Sequence, residues 1–222
     1  MFTEVEAIYT VDDCMRALER AGVPPATQLA VYMQKLLEWN TKINVTGAKT
    51  PDELAVKHIA DVWAAVETLG SVAPLVADIG SGGGIPGIIL GVVSPDTNVI
   101  LVERIQKKAK VLASIISDMG LEQRIKVLAR SFEEVKTFED DTEYWFRGFL
   151  PGPKLAVYLS ERFPRADLGQ IVLMKGPAWP VEKLDIMGEP KVREVWLERF
   201  GSAAELHYAL PQGAGERILV LV

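Results

Sequence analysis

Apolar positions along the chain follow two regimes. In the first seventy residues they recur at helical spacing: Leu29, Met33, Leu36 and Leu37, with Trp39 behind them, mark one face of a helix. The pattern breaks at Asn40-Thr41-Lys42-Ile43-Asn44 and restarts at a helix signal. Thr50 is a candidate N-cap, Pro51 suits the first helical position, and Glu53 completes a capping box with Thr50. That helix is expected to reach about Leu69, with Val56, Ile59, Trp63 and Val66 on one stripe. From Val72 the character changes. Val72 to Ile79 is short, continuous and valine-rich, as a strand buried on both faces should be. A glycine loop follows, then an apolar helix from Pro86 to Val93, a Ser94-Pro95-Asp96 turn, and a strand from Asn98 to Glu103. Ile105, Ala109, Leu112, Ile116 and Met119 form the next helical stripe, closed by Gly120, and Ile125 to Ala129 is a third strand. This β-α-β-α-β succession opens a doubly wound α/β sheet.

The second half is less regular. Residues 136–169 mix acidic and aromatic residues around a Pro151-Gly152-Pro153 turn, and Leu155, Tyr158, Leu159 and Arg162 share a helical face. Gln170 to Met174 is a strand that ends at Lys175-Gly176, and Val192 to Phe200 is a helix. Glu205 to Leu210 and Glu216 to Val222 are strands joined only by Pro211-Gln212-Gly213-Ala214-Gly215, a connection too short for anything but antiparallel pairing. The chain therefore divides into an N-terminal helical extension over residues 1–70 and an α/β domain over 71–222.

Composition narrows the class. Of 222 residues, 49% are apolar and 24% charged, an ordinary globular balance. No run of eighteen apolar residues occurs, so no membrane-spanning helix and no membrane partner are expected. The acidic start Met1-Phe2-Thr3-Glu4-Val5-Glu6 has no basic n-region, so no secretory signal is expected. The lone Cys14 is expected to be a small buried residue of a cytoplasmic protein. A net charge of −6 argues mildly against nucleic acid, but Lys107, Lys108 and Lys110, then Arg124, Lys126 and Arg130, are clustered. An acidic chain with such clusters can still carry a basic patch.

The candidate chemistry centres on Val76-Ala77-Asp78-Ile79-Gly80-Ser81-Gly82-Gly83-Gly84-Ile85-Pro86-Gly87. Lying between a strand and a helix, Gly80, Ser81, Gly82 and Gly84 let backbone approach a cofactor closely. Gly82, Gly84 and Gly87 formally match the dinucleotide pattern, but two residues point to S-adenosylmethionine. Asp78, two residues before Gly80, is placed to receive the amino group of a methionine moiety. Pro86 removes an amide that a pyrophosphate would need. Glu103 ends the second strand, where a carboxylate can accept bonds from both ribose hydroxyls. Ser131 and Phe132 follow the third strand and can line an adenine pocket, although Phe132 equally suits a core.

These residues resemble the RsmG (GidB) family. The likeness is carried by Leu36-Leu37-Glu38-Trp39-Asn40-Thr41-Lys42-Ile43-Asn44-Val45-Thr46, by Val56-Lys57-His58-Ile59-Ala60-Asp61, and by the Asp78 to Gly87 loop. It returns at Val172-Leu173-Met174-Lys175-Gly176 and at Glu216 to Val222. Family members methylate N7 of a guanine in bacterial small-subunit (16S) ribosomal RNA. The resemblance implies a Rossmann-like methyltransferase with a mostly parallel seven-stranded sheet. It places cofactor contacts on Gly80, Ile85, Glu103 and the Ser131-Phe132 backbone. Of the family's Ser-Arg-Ala segment, Phe146-Arg147-Gly148-Phe149 keeps the arginine, so Arg147 falls at the cofactor and RNA site. The fourth strand would be Asp141-Thr142-Glu143-Tyr144-Trp145, polar where the family is apolar, and Val62 stands where the family usually has serine.

Guanine N7 is nucleophilic and carries no proton, so transfer from a sulfonium needs alignment and neither a general base nor a metal. His58 and Asp61, three apart on one helix, either shape the pocket or fix the helix to the sheet. Asn40, Asn44 and Thr46 either cap their loop or touch substrate. Lys107 and Lys108, opening a helix beside the glycine loop, are solvated or bind RNA phosphate. Lys175 ends a strand on the ligand side of the sheet. Trp145 and Trp179 could stack on bases, but packing in the core or at the surface is the expected role for each. The implied partner is 16S RNA or the 30S subunit, and a monomer is expected. Three other readings remain: a methyltransferase of this fold with a protein or small-molecule substrate, a non-catalytic RNA- or ribosome-binding relative, and a nicotinamide-dependent oxidoreductase.

Overall fold

In the computed structural model, which describes residues 8–135, 138, 141–163, 169–201 and 203–222, the valine-rich and aromatic segments pair into one seven-stranded sheet. Strands β1 (Leu75–Ile79), β2 (Asn98–Val102), β3 (Ile125–Leu128), β4 (Glu143–Arg147) and β5 (Ile171–Lys175) run parallel. β6 (Ala204–Ala209) and β7 (Glu216–Leu221) form the expected hairpin, with β7 antiparallel to β5. The order across the sheet is β3-β2-β1-β4-β5-β7-β6. Its direction reverses between β1 and β4, so the loops leaving these two strands flank a crevice at their carboxyl ends, where ligands bind in sheets of this kind.

The strands alternate between two cores, as a period of two requires. Val76, Trp145, Val172 and Met174 face one, with α1 (Val11–Arg20), α2 (Thr27–Asn40), α5 (Gly87–Val93) and α6 (Gln106–Asp118). Ala77, Ile79, Tyr144, Phe146, Ile171 and Leu173 face the other, with α7 (Gly152–Arg162), α8 (Trp179–Gly188) and α9 (Pro190–Phe200). The N-terminal helices are thus built into the same apolar core as one face of the sheet. Cys14 is fully buried there, and burial pushes its thiol up to about 12. Trp145 and Trp179 are buried in the two cores. Among the described residues no helix is long and apolar enough to cross a membrane.

Two expectations are corrected, and one element is added. The fourth strand lies two residues later than Asp141–Trp145. This register buries Tyr144, Trp145 and Phe146, leaves Asp141 exposed, and carries Arg147 to the strand's end. The buried Glu143 is held by the Ala73 N–H (2.8 Å) and the Trp145 indole (2.9 Å), while burial raises its carboxyl pKa. Second, the helix after Thr50 is not uniform. It starts as α3 (Pro51–Leu54), passes through a π turn at Ala55–Ile59, and continues as α4 (Ala60–Leu69). Thr50 caps the Glu53 N–H, but Glu53 takes the Lys49 N–H at 2.8 Å. The extra residue in the π turn rotates the helix beyond it, so Ile59, Val62 and Ala65 are buried while Val56, Trp63 and Val66 are half-buried. The added element is α8, a helix that the periodic pattern does not reveal, because Val181 and Leu184 point to solvent and spoil its apolar stripe.

Candidate functional site

The crevice opens into a cavity of about 970 Å³ at the carboxyl ends of β1, β2 and β4. Its floor is the glycine loop, held by a closed set of bonds. Gly80, at a φ of +76°, donates its N–H to the Val102 carbonyl (2.9 Å). Glu103 accepts the Gly82 N–H on Oε2 (2.9 Å) and the Ile105 N–H on Oε1 (2.7 Å). The carboxylate that ends β2 therefore ties the loop to the start of α6. Ser81 donates its hydroxyl to the Asp78 carbonyl (3.0 Å). From the other side, the Tyr32 hydroxyl of α2 donates to the Gly83 carbonyl (2.9 Å). A Cβ at Gly83 would sit 2.7 Å from the Val45 carbonyl oxygen, so only glycine lets the two segments meet.

Gly80, Ser81, Gly82, Ile85, Glu103, Ser131, Phe132, His58, Lys108 and Arg147 all line this cavity, as the sequence suggested. Phe132 is buried, with its ring 6.0 Å from Tyr144 and 5.9 Å from Phe163, and it also bounds the cavity. Asp78, Gly84, Asn40 and Lys107 lie outside this lining, and Lys175 lines a second cavity. The Asp78 carboxyl faces inward, 1% exposed, and accepts the Gly87 N–H at 3.0 Å. Burial raises its pKa to about 7, against the pull of the Gly87 and Ser81 hydrogen bonds. Gly84 is a packing residue, since a Cβ there would lie 2.6 Å from Ile88 Cδ1. Asn40 braces its own loop: Oδ1 accepts the Val45 and Thr46 N–H groups (3.0 Å each), and Nδ2 donates to the Ala48 carbonyl (3.1 Å). Lys107 is exposed and outside the lining.

That brace sets Val45, Thr46 and Gly47 against the glycine loop as a wall, of which motif reading had singled out only Thr46. Arg104 and Arg130, which follow β2 and β3, also line the cavity, and their position just past two parallel strands was the available signal. Arg124 and Lys126 of the same basic run are spent on structure, donating to the Gly91 and Thr97 carbonyls and to the Glu122 carbonyl.

Arg147 is the pivot of the site. Its guanidinium donates to Asp61 Oδ2 (3.0 Å) and the Lys57 carbonyl (3.2 Å), and Nη2 lies 3.0 Å from His58 Nδ1. Asp61 Oδ1 accepts the Tyr208 hydroxyl from β6 (2.8 Å). His58 in the π turn faces the cavity, while Asp61 in the first turn of α4 pins the helix to the sheet. Burial, then the charge of Arg147, pushes His58 down to about 4, so its imidazole is neutral near pH 7.

A second cavity of about 590 Å³ lies beyond the end of β5 and shares the wall formed by Arg147, Gly148, Phe149 and Leu150. Lys175 lines this one, paired with Glu182 at 2.8 Å. Phe149 overhangs the glycine loop so closely that a Cβ at Gly80 would meet its ring at 2.8 Å.

The family described as GidB, rRNA small subunit methyltransferase G, matches residues 26–187. The Ribosomal RNA small subunit methyltransferase G of Solibacter usitatus is 34% identical over 194 residues, which cover 86% of this chain and 87% of that protein. Its counterpart in Paracoccus denitrificans is 34% identical over 155 residues, covering 70% and 78%. Among solved structures, an O-methyltransferase from Bacillus cereus in complex with SAH has a TM-score of 0.55 at 16% identity, covering 96% of this chain and 100% of that one. A putative O-methyltransferase from Klebsiella pneumoniae has a TM-score of 0.52 at 17% identity, covering 94% and 95%. At such identities the structural likeness bears on the fold alone.

Proposed function

The chain belongs to the GidB family, rRNA small subunit methyltransferase G, and from that premise we propose that it methylates N7 of a guanine in 16S ribosomal RNA, using S-adenosylmethionine. The observation that carries the reading is the pair of cavities meeting at the Arg147–Leu150 wall. On this reading the larger takes the nucleoside cofactor and the smaller the base.

The residues of the larger cavity fit the cofactor. Gly80 and Gly82 add no Cβ atoms to the lining, and Glu103, 5% exposed, ends the second strand's run with a carboxylate that could accept from ribose hydroxyls. Ser131 and Phe132 bound the adenine end, and Ile85, Ser81, His58 and Arg147 bound the methionine end. Asp78 is assigned to the loop's support and not to the cofactor. When bound, the sulfonium supplies an electrophilic methyl group.

The chain's own task is alignment. The target base enters the smaller cavity and meets the cofactor site across Gly148 and Phe149. The Asp61–Arg147–His58 cluster fixes that wall, and a neutral His58 adds no charge beside it. Because N7 holds a free lone pair, no side chain need take a proton. Lys108, Arg104 and Arg130 at the rim, with Lys107 beside them, hold RNA phosphates. The partner is 16S RNA within the 30S subunit, met in the cytoplasm by a monomer.

The test is methyl transfer from labelled S-adenosylmethionine to small subunits, and to their purified RNA, from a strain lacking this enzyme. Label at N7 of one guanine is the expected result. No transfer, with cofactor binding shown by calorimetry, overturns the substrate assignment.

A further inference from the structure

The second cavity holds two carboxylates in different states. Asp61 is closed. It receives the Tyr208 hydroxyl and the Arg147 guanidinium, with Arg217 Nε 3.8 Å away, and its side chain is 3% exposed. Glu182 is open. Its Oε2 receives Lys175 Nζ at 2.8 Å, its side chain keeps 26% exposure, and Oε1 has no hydrogen bond among the described residues. Glu182 lines the second cavity and not the first. Its place is fixed from behind, because a Cβ at Gly152 would lie 2.9 Å from both the Cβ and the carbonyl oxygen of Glu182. The first turn of α8 is therefore seated on the first residue of α7, next to the loop that walls the cavity.

We propose that Glu182 selects the target base by accepting the N1–H and N2–H groups of guanine, an inference that rests on the guanine-N7 reading above. N7 and the N1/N2 edge lie on opposite sides of a purine. A base that turns N7 toward the Arg147–Leu150 wall directs its N1 and N2 donors away from it, toward the part of the cavity lined by Glu182. Two parallel donors match the two oxygens of a carboxylate. Adenine also has a nucleophilic N7, but it presents a lone pair at N1 and lacks the 2-amino group, so it would set acceptor against carboxylate. The reacting atom does not separate the two purines; the N1/N2 edge does, as does the group at position 6, an acceptor in guanine and a donor in adenine. Lys175 is a positioning residue. Its ion pair, together with the Trp179 ring 5.0 Å from its Nζ, holds the carboxylate in place, and a base bound in this way would bring O6, the neighbour of N1, toward its ammonium. A cavity of about 590 Å³ accommodates a single flipped base.

The test uses small subunits reconstituted on RNA carrying guanine or inosine at the methylated position. Inosine keeps N7, O6 and N1–H and lacks only the 2-amino group. For the unsubstituted chain, kcat/KM is expected to be about tenfold or more lower on inosine, the value of one good edge contact. For Glu182→Ala the two substrates should differ by no more than about twofold, whatever the absolute rate. Glu182→Gln retains one acceptor oxygen, should fall between, and guards against misfolding of the alanine variant. Where turnover is too slow to follow, the guanine-to-inosine ratio of RNA affinity by fluorescence anisotropy replaces it. A ratio unchanged in both variants overturns this proposal and leaves the guanine-N7 reading standing. Failure of the unsubstituted chain to methylate the guanine RNA at all overturns both.

Discussion

At the scale of single residues, the buried groups around the glycine loop titrate against each other. Asp78, at about 7 when folded against a reference of 3.8, holds a proton that the unfolded chain has released. Its contribution to stability is present below pH 4 and is lost as pH rises toward 7. His58, at about 4 against 6.5, behaves in the opposite sense. The unfolded chain binds the proton that the folded one refuses, so stability grows as pH rises from 4 to 6.5. The two slopes offset each other across the same window. Asp78→Asn keeps an oxygen for the Gly87 N–H and removes the first slope. Denaturation midpoints of this variant should then rise with pH between 4 and 6.5 more steeply than those of the unsubstituted chain. Parallel curves would contradict the inward, protonated Asp78.

At the scale of elements, the glycine loop is clamped between two structures and not simply draped over a helix. Glu103 and α6 hold it from one side, and Tyr32 with the Asn40-braced segment holds it from the other. Gly83 is the point of contact. A Cβ there has backbone, the Val45 carbonyl, at 2.7 Å, and the two bonds to Asn40 keep that backbone from retreating. Gly83→Ala should therefore cost about 1–3 kcal/mol of stability in urea unfolding, as an overpacked site does. It should also weaken S-adenosylmethionine binding in calorimetry. Unaltered stability and affinity would show that the N-terminal segment lies on the loop without constraining it.

At the scale of the whole molecule, a chain of net charge −6 presents Arg104, Lys108 and Arg130 around one opening, with the exposed Lys107 next to Lys108 in the chain. The acidic total does not describe the surface that RNA would meet. Phosphate contacts made there release counterions, so RNA affinity should fall steeply with salt. Lys107→Ala and Lys108→Ala should each lower the slope of log affinity against log salt by about 0.7 to 0.9. Slopes that do not move would place the RNA path elsewhere.

Local pattern determined much of this protein by itself. Periodicity and turn residues placed the strands of the first half to within a few residues, and loop length alone required the terminal hairpin. The place of the glycine loop, Glu103, Ser131 and Phe132 in the cavity lining was legible because it depends on position relative to a strand's end, which is a local property. What stayed hidden depends on partners distant in sequence. The register of β4 was set by burying Tyr144, Trp145 and Phe146 between β1 and β5. Asp78 turned inward because the Gly87 N–H waits there, and Asn40 was claimed by its own loop. Arg147 became the hinge of two cavities only through Asp61 and His58, 86 and 89 residues away. The open carboxylate of Glu182 lies on a helix whose exposed apolar residues hid it from any periodic reading. Sequence pattern records which face of an element is apolar. Which polar group meets which, across tens of residues, is decided only when the elements pack and each buried donor and acceptor must find a partner.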